Sequence, residues 1–206
     1  MTGSPAEKHV HQDVFRQVMG ALASGVAVVT TIDNDGRPRG LTTTAVTSVS
    51  LDPPLLLVCV GRQSRTLPAL QRAGRFTVNL LESRFSAVAL HFASRLEDKF
   101  ADVAWRPGAN DCPVLHEHAL AWAECHTESE VDAGDHVVFV GRVHDGDLAG
   151  IGLSPLTYFR GRYGGWSPSD ADHVASIAST PVHIESQGEV RNMNHARSTN
   201  AVRSSS

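Results

Sequence analysis

The residues of this chain that could do chemistry gather in three places. The densest is the run from Gly40 to Ser50, which carries hydroxyls at Thr42, Thr43, Thr44, Thr47, Ser48 and Ser50. Asp52-Pro53-Pro54 turns the chain, and an apolar stretch follows from Leu55 to Val60. Threonine and valine favour a pleated strand, and paired prolines cannot sit inside a central ladder. Hydroxyl-rich backbone beside a buried strand could cradle a flat, polar ligand carrying a phosphate. It could equally be an edge strand with a solvated threonine face.

The second place is Arg62-Gln-Ser-Arg-Thr66, just after the apolar strand and just before a short helix. Arg62 and Arg65 offer charge, Ser64 and Thr66 offer hydroxyls, and a helix start offers amide donors, which together suit a phosphate. An ordinary helix cap with two solvated arginines fits the same residues. The third is Gly134-Asp135-His136, where Gly-Asp is turn chemistry and a histidine at a strand start could meet a carboxamide or a phosphate.

Other combinations point away from chemistry. Cys112, His116, Glu117, His118, Cys125 and His126 are neighbours in sequence, and His116 and His118 would share one face of an extended segment. No C-x-x-C or H-E-x-x-H spacing accompanies them, so no metal is expected. No G-x-S-x-G elbow marks a serine hydrolase. Cys59 ends an apolar strand and reads as a buried, inert thiol.

The elements that must position these groups follow from periodicity and punctuation. Val14, Val18 and Leu22, with Phe15 and Met19, predict an amphipathic helix over His11 to Ala23, stopped by Ser24-Gly25. Val26 to Ile32 reads as a buried strand, and Asn34-Asp35-Gly36 as a hairpin turn. Ser64 should cap a helix running to about Arg72, ended by Gly74. Phe76 to Leu81 is a strand, Arg84 to Ala93 a helix, Glu97 to Phe100 a short turn or helix, and Trp105 to Leu115 a loop. A second hairpin has arms Ala119–Val131 and His136–Val143, and Pro155 to Trp166 holds the last aromatic cluster. Strands with hairpins and few helices imply an antiparallel barrel with peripheral helices. No G-x-G-x-x-G follows a strand and the βαβ alternation is not sustained, which disfavours a Rossmann fold.

Composition bounds the rest. A chain of 206 residues can bury one good core, and a net charge of −4 makes no case for nucleic-acid binding. The 3 cysteines are widely spaced, which favours a reducing compartment over a disulfide framework. No apolar signal core or run of ~20 apolar residues occurs, so a cytoplasmic protein with no membrane partner is expected. Residues 1–10 are expected to be flexible, 11–166 to form the domain, and 167–206 to be a largely disordered tail with a weakly strand-forming stretch at 174–184.

Taken in order, these segments resemble the flavin reductase-like family, whose fold is the FMN-binding split barrel. The resemblance runs through Phe15-Arg-Gln-Val-Met-Gly, Ser24-Gly-Val-Ala-Val-Val-Thr-Thr, the Gly40–Leu55 run and Gly74-Arg-Phe-Thr-Val-Asn-Leu-Leu. It continues through Phe92-Ala-Ser, Glu97-Asp-Lys-Phe, Gly134-Asp-His and Tyr158-Phe-Arg-Gly-Arg-Tyr, and covers about residues 12–166. It implies an NAD(P)H-dependent flavin reductase using NADH or NADPH to reduce FMN or FAD for a separate flavin-dependent monooxygenase, and a homodimer. By position it implies Thr42, Thr43, Thr44 and Ala45 along the isoalloxazine and ribityl chain, with Ser50, Cys59 and Val60 continuing the wall. Arg65 and Thr66 would take the phosphate side, and His91 and Phe92 would close over the flavin. His136, Arg160 and Tyr163 would lie on the nicotinamide side. No catalytic residue is implied, because the hydride passes between two cofactors. Many relatives carry Asn and Ser where this chain has Thr44 and Ala45. Two other roles suit the same residues: a flavin-binding module without turnover, and an FMN-dependent reductase of a small organic substrate.

Overall fold

Val26 to Thr31 is the most continuously buried run among the described residues, every residue at most 1% exposed, because the strand within it is covered on both faces. The computed structural model describes residues 10–150 and 153–166; the readings of a flexible start and of a tail after Trp166 concern residues outside these, Val10 excepted. Within this run lies β2 (Ala27–Ile32), preceded by α1 (Gln12–Gly20) and the two-residue strand β1 (Ser24–Gly25). The hairpin at Asp33–Arg37 leads into β3 (Pro38–Thr43), then come β4 (Val46–Ser50) and β5 (Leu55–Gly61). They are followed by α2 (Leu67–Ala73), β6 (Arg75–Leu81), α3 (Ser86–Ala93) and the small ladder β7 (Arg106–Pro107) with β8 (Pro113–Val114). The chain then forms β9 (Ala119–Ala133), β10 (His136–Leu148), β11 (Leu156–Phe159) and β12 (Arg162–Gly165).

Seven strands form one antiparallel sheet in the order β3-β2-β6-β9-β10-β5-β4. Its two outermost strands are consecutive in the chain, separated only by Thr44 and Ala45. A flat sheet of that width would hold its edges roughly 29 Å apart. Three Cα–Cα steps reach at most about 11 Å. The sheet must therefore roll until its edges approach at this end. The Cys59 amide donates to the Ala45 carbonyl at 3.0 Å, and the Thr43 hydroxyl to the Cys59 carbonyl at 3.4 Å. This is the antiparallel split-barrel architecture with peripheral helices that the sequence implied.

Rolling creates two cores. Inside, Ala27 and Val29 pack with Val58, Val60, Phe76, Val78, Val137 and Phe139. Outside, Val26 and Val28 pack with Leu81, Ala89, Phe92, Phe100, Leu115 and Leu156. Curvature also depends on Gly141, beside a register shift in β10, since a Cβ there would sit 2.5 Å from the Phe76 ring.

Several boundaries differ from the sequence expectation for identifiable reasons. Helix α1 stops at Gly20, before Ala23, because Ser24-Gly25 pairs with Tyr158 and Thr157 instead of capping the helix. The hydroxyl run is two strands on opposite edges, not one. Strand β10 continues five residues past Val143 to Leu148, since its register shifts absorb the misfit that would have ended the pairing. The expected loop 105–115 contains the β7–β8 ladder, and the expected helix from Arg84 begins as a 3-10 turn at Ser83–Phe85. Leu156–Phe159 and Arg162–Gly165 form a hairpin whose corner residues, Arg160 and Gly161, have φ of 47° and 79°. Two successive positive φ values suit the twist of a tight hairpin.

A buried polar network fastens the 105–118 segment across the barrel. Asn79 donates to the Val28 carbonyl at 3.2 Å and to the Thr30 hydroxyl at 3.2 Å, and accepts from the Leu115 amide at 2.8 Å. The Thr30 hydroxyl donates to the Pro113 carbonyl at 2.6 Å. Asn110 bridges the Phe76 carbonyl and the Cys112 amide, while its own amide donates to Glu124 at 2.9 Å. A buried group stripped of its partner costs about 1–3 kcal/mol. Asn79→Leu keeps the number of side-chain heavy atoms and strands the Leu115 amide, so urea unfolding should show a loss of ~3 kcal/mol.

Candidate functional site

Gly40, in the middle of β3, is where the barrel meets its outer layer. A Cβ on Gly40 would lie 2.8 Å from the Phe92 ring and 3.3 Å from Phe100, so only glycine admits this approach. Its carbonyl accepts from the Thr66 hydroxyl at 3.0 Å and from the Lys99 ammonium at 3.2 Å. Strand β3, the turn before α2, the end of α3 and the 94–100 segment thus converge. Between them opens a cleft of about 790 Å³, lined by Thr42, Ser64, Arg65, Thr66, Phe92 and Lys99 among others. That volume lies within the usual range for a small-molecule or cofactor site.

One end of the cleft is cationic. Arg39, Arg65, Arg95 and Lys99 line it against the single carboxylate of Glu97. The exposed Arg65 spends one nitrogen on the Arg95 carbonyl at 3.1 Å. Lys99 also donates to the Phe92 carbonyl at 2.6 Å, leaving one of its three hydrogens for a ligand. Burial, and then repulsion from Arg65, pull its pKa below the ordinary lysine value. Arg39, Arg95 and Lys99 were not singled out as site residues from the sequence. The Glu97-Asp-Lys-Phe motif was the only available signal for one of them.

The hydroxyls are less available than their number implied. Thr42 donates to the Ala89 carbonyl at 2.7 Å, Thr43 points to Cys59, and Thr66 is spent on Gly40. Thr44 is exposed, and its hydroxyl makes no hydrogen bond among the described residues. The helix start is also partly used. The Thr66 and Leu67 amides donate to Ser64, and Pro68 has no N–H. Ser64 closes the turn ahead of α2, whose first flanking residue is Thr66 and not Ser64 as expected. Gly74 ends the helix in the left-handed region, at φ 62°.

The remaining residues implied by the resemblance lie around this cleft to different degrees. Phe92 walls it, whereas His91 turns its ring to the Lys99 carbonyl at 2.9 Å and holds the 94–100 segment. Val60 is fully buried in the inner core, so its side chain reaches no cleft. Cys59 meets Ala45 through its backbone, and burial pushes its thiol up. Ser50 sits at the far end of β4 opposite Leu55. His136 pairs with Gly61, where the chain enters the Arg62–Thr66 segment, and its ring nitrogen meets Asp135 at 2.7 Å. Arg160 and Thr44 line a separate groove of about 920 Å³ together with Tyr158, Phe15 and Met19 of α1. Tyr163 stacks at a tilt on Tyr158, 5.2 Å between centroids, and burial raises its phenol's pKa.

The histidines and cysteines that adjoin in sequence serve packing. Cys112 and Cys125 are core residues whose thiols burial pushes up to about 11 and about 12. His118 packs edge-on against Phe85, and His126 stacks on His144. No group of three or more metal-ligating side chains forms among the described residues. No helix among them is long and apolar enough to cross a membrane.

The fold is a rolled antiparallel sheet, and outside it lies a cationic cleft walled by Phe92 and Phe100. The flavin reductase like domain matches residues 19–167, and the chain belongs to that family; it is an oxidoreductase of the flavin reductase type. Flavin reductase (NADH) of Kitasatospora aureofaciens is 43% identical over 169 residues, covering 82% of this chain and 88% of that protein. Flavin reductase (NADPH) of Lentzea aerocolonigenes is 41% identical, covering 78% of this chain and 93% of that one. Among solved structures, nitrilotriacetate monooxygenase component B from Mycobacterium thermoresistibile superposes with a TM-score of 0.73 at 33% identity, covering 90% of this chain and 96% of that one.

Because the Thr66 hydroxyl ties α2 to β3, Thr66→Val should lower unfolding stability by about 1 kcal/mol in chemical denaturation. A change indistinguishable from zero would show that this bond does not hold the cleft.

Proposed function

We propose that this flavin reductase draws hydride from NADH or NADPH, passes it to FMN or FAD in the cleft beside Gly40, and releases the reduced flavin to a separate flavin-dependent monooxygenase. The observation that carries this reading is the cleft itself: aromatic on one wall, cationic at one end, with no histidine or cysteine in its lining. Such a site suits orientation and charge stabilisation better than attack by a protein nucleophile. The flavin and the nicotinamide supply the redox chemistry, and the chain holds, orients and keeps them dry.

In this reading Arg65 and the spare hydrogen of Lys99 hold the flavin phosphate. Phe92 and Phe100 shut water from one side. Thr42 to Ala45 run beside the ring and ribityl chain, and Thr44 offers the one hydroxyl of the three threonines that no described residue engages. Thr44 also borders the groove of Arg160 and Tyr158, which makes that groove the approach for the nicotinamide. Tyr163, stacked on Tyr158, belongs to the same approach, His136 meets the nicotinamide nucleotide from the Gly61 side, and residues 11–166 form the reductase domain. The chain works in the cytoplasm, a placement that its free cysteines Cys59, Cys112 and Cys125 support.

A homodimer is part of the proposal. Val14, Phe15, Val18, Met19 and Leu22 are between 46% and 63% exposed, and α1 buries none of its residues. A contiguous apolar stripe of this kind marks an interaction surface. Sedimentation or light scattering should give twice the chain mass, and a monomer at working concentration would overturn this part.

A steady-state assay crossing NADH and NADPH with FMN, FAD and riboflavin tests the whole. Nucleotide oxidation that depends on added flavin is expected, and Arg65→Gln should raise the flavin Kd about tenfold at unchanged thermal stability. Saturable flavin binding without nucleotide oxidation would indicate a non-catalytic module instead. A tightly held yellow cofactor reoxidised by a small organic compound would indicate a substrate reductase.

A further inference from the structure

Lysine is almost absent from this chain. Against 16 arginines stand 2 lysines, Lys8 and Lys99, and Lys99 lines the cleft beside Gly40. A guanidinium keeps its proton in any protein, so an arginine never offers a lone pair, whereas a lysine amine does once its proton is gone. Of the cations at this end of the cleft, Arg39, Arg65, Arg95 and Lys99, only Lys99 can act as a nucleophile. Hydride transfer between two cofactors makes no use of one.

The surroundings hold the amine in place without pairing it to an acid. Phe100, 6% exposed, anchors the next residue in the outer core, and the His91 ring meets the Lys99 carbonyl at 2.9 Å. At the other end of the side chain, Nζ donates to the Phe92 carbonyl at 2.6 Å and to the Gly40 carbonyl at 3.2 Å. Nζ is tetrahedral, so two carbonyls leave one direction open. In the ammonium that direction carries the third hydrogen, and in the neutral amine it carries the lone pair. Among the described residues no carboxylate pairs with Nζ, and both burial and the neighbouring Arg65 favour the neutral form. Arg39 commits its Nε to Asp33 at 2.9 Å, and Arg65 commits one nitrogen to the Arg95 carbonyl at 3.1 Å. The other donors of Arg65 are engaged by no described residue and suit phosphate oxygens. A positioned amine beside a guanidinium that receives phosphate is what acyl transfer from an acyl phosphate requires.

We propose that Lys99 is an acyl-acceptor site for small acyl phosphates, and that acylation there turns the reductase down by closing the cleft to a phosphorylated flavin. The Nζ lone pair attacks the acyl carbon and forms the N–C bond. The bond from that carbon to the bridging oxygen breaks, and phosphate departs with the electron pair, held by Arg65. The amine gives its proton to water, and a neutral amide remains; nothing is oxidised or reduced. The amide has lost the ammonium charge and fills the open direction, so an incoming flavin phosphate keeps Arg65 and loses Lys99. That consequence rests on the flavin reading of the cleft; the acylation itself does not.

Acetyl phosphate is the probe, and peptide mass mapping of the full chain reads acetylation at Lys99 and Lys8 side by side. Lys99 should acetylate about tenfold faster than Lys8 in the folded chain, and the two should react alike after unfolding in urea. Inorganic phosphate should slow Lys99 without slowing Lys8, and Arg65→Gln, a change at an exposed side chain, should slow Lys99 severalfold. Equal rates in the folded chain would overturn the acyl-acceptor site. So would a Lys99 rate indifferent to phosphate and to Arg65→Gln. Chain acetylated at Lys99 should bind FMN about tenfold more weakly than untreated chain, and FMN should protect Lys99 from the reagent. Unchanged FMN affinity after acetylation would overturn the regulatory half alone. Failure of the untreated chain to bind FMN would overturn the flavin reading and that half together, while the ratio of Lys99 to Lys8 still decides the site.

Discussion

The two residues between β3 and β4 set the shape of the molecule. Thr44 and Ala45 join the opposite edges of a seven-stranded sheet, and no flat sheet can satisfy so short a link. Once the sheet rolls, one face of β2 becomes an interior wall and the other becomes a platform. The interior fills with Val58, Val60, Phe76 and Phe139. The platform must be covered in turn, and α3 with the 105–118 segment covers it. The polar network of Thr30, Asn79 and Asn110 is the consequence of laying irregular backbone on a sheet face. Every amide of that segment that loses water needs a partner there.

The cleft follows from the same closure. Rolling brings β3 to the rim, where Gly40 lets Phe92 and Phe100 come within contact of the backbone. The Gly40 carbonyl then gathers Thr66 and Lys99. Structural and ligand-facing roles are divided among neighbouring groups at this point. Thr66 and Thr42 spend their hydrogens on carbonyls and hold the walls. Arg65, Lys99 and the far side of Arg39 keep donors for something outside the protein. Desolvation lowers the Lys99 pKa, so its charge is dearly held and strongly felt by an anion entering the cleft.

Much of this was legible in the order of residues. Period-two alternation in Phe76–Leu81, the Asn34-Asp-Gly turn, Gly74 after a short helix and the length of the second hairpin are local signals that obey local physics. They establish an antiparallel protein with small helices, and their ordered series establishes the family. The site was legible in part: Thr42, Arg65, Thr66 and Phe92 do line one cleft. Val60 and Ser50 do not, because strand alternation turns Val60 into the core and the direction of β4 carries Ser50 away.

The local elements and their kinship are thus properties of the chain itself, since each depends on side chains within a few residues of one another. Sheet order, the split of the hydroxyl run between two edges, and the meeting of Arg39, Arg65, Arg95 and Lys99 were decided only in three dimensions. Those groups lie on three different segments, and nothing in their spacing encodes how far a rolled sheet brings its edges together. The availability of a hydroxyl is equally non-local. Thr42 and Thr44 are alike as residue types, yet a carbonyl of α3 engages one hydroxyl and no protein partner among the described residues engages the other.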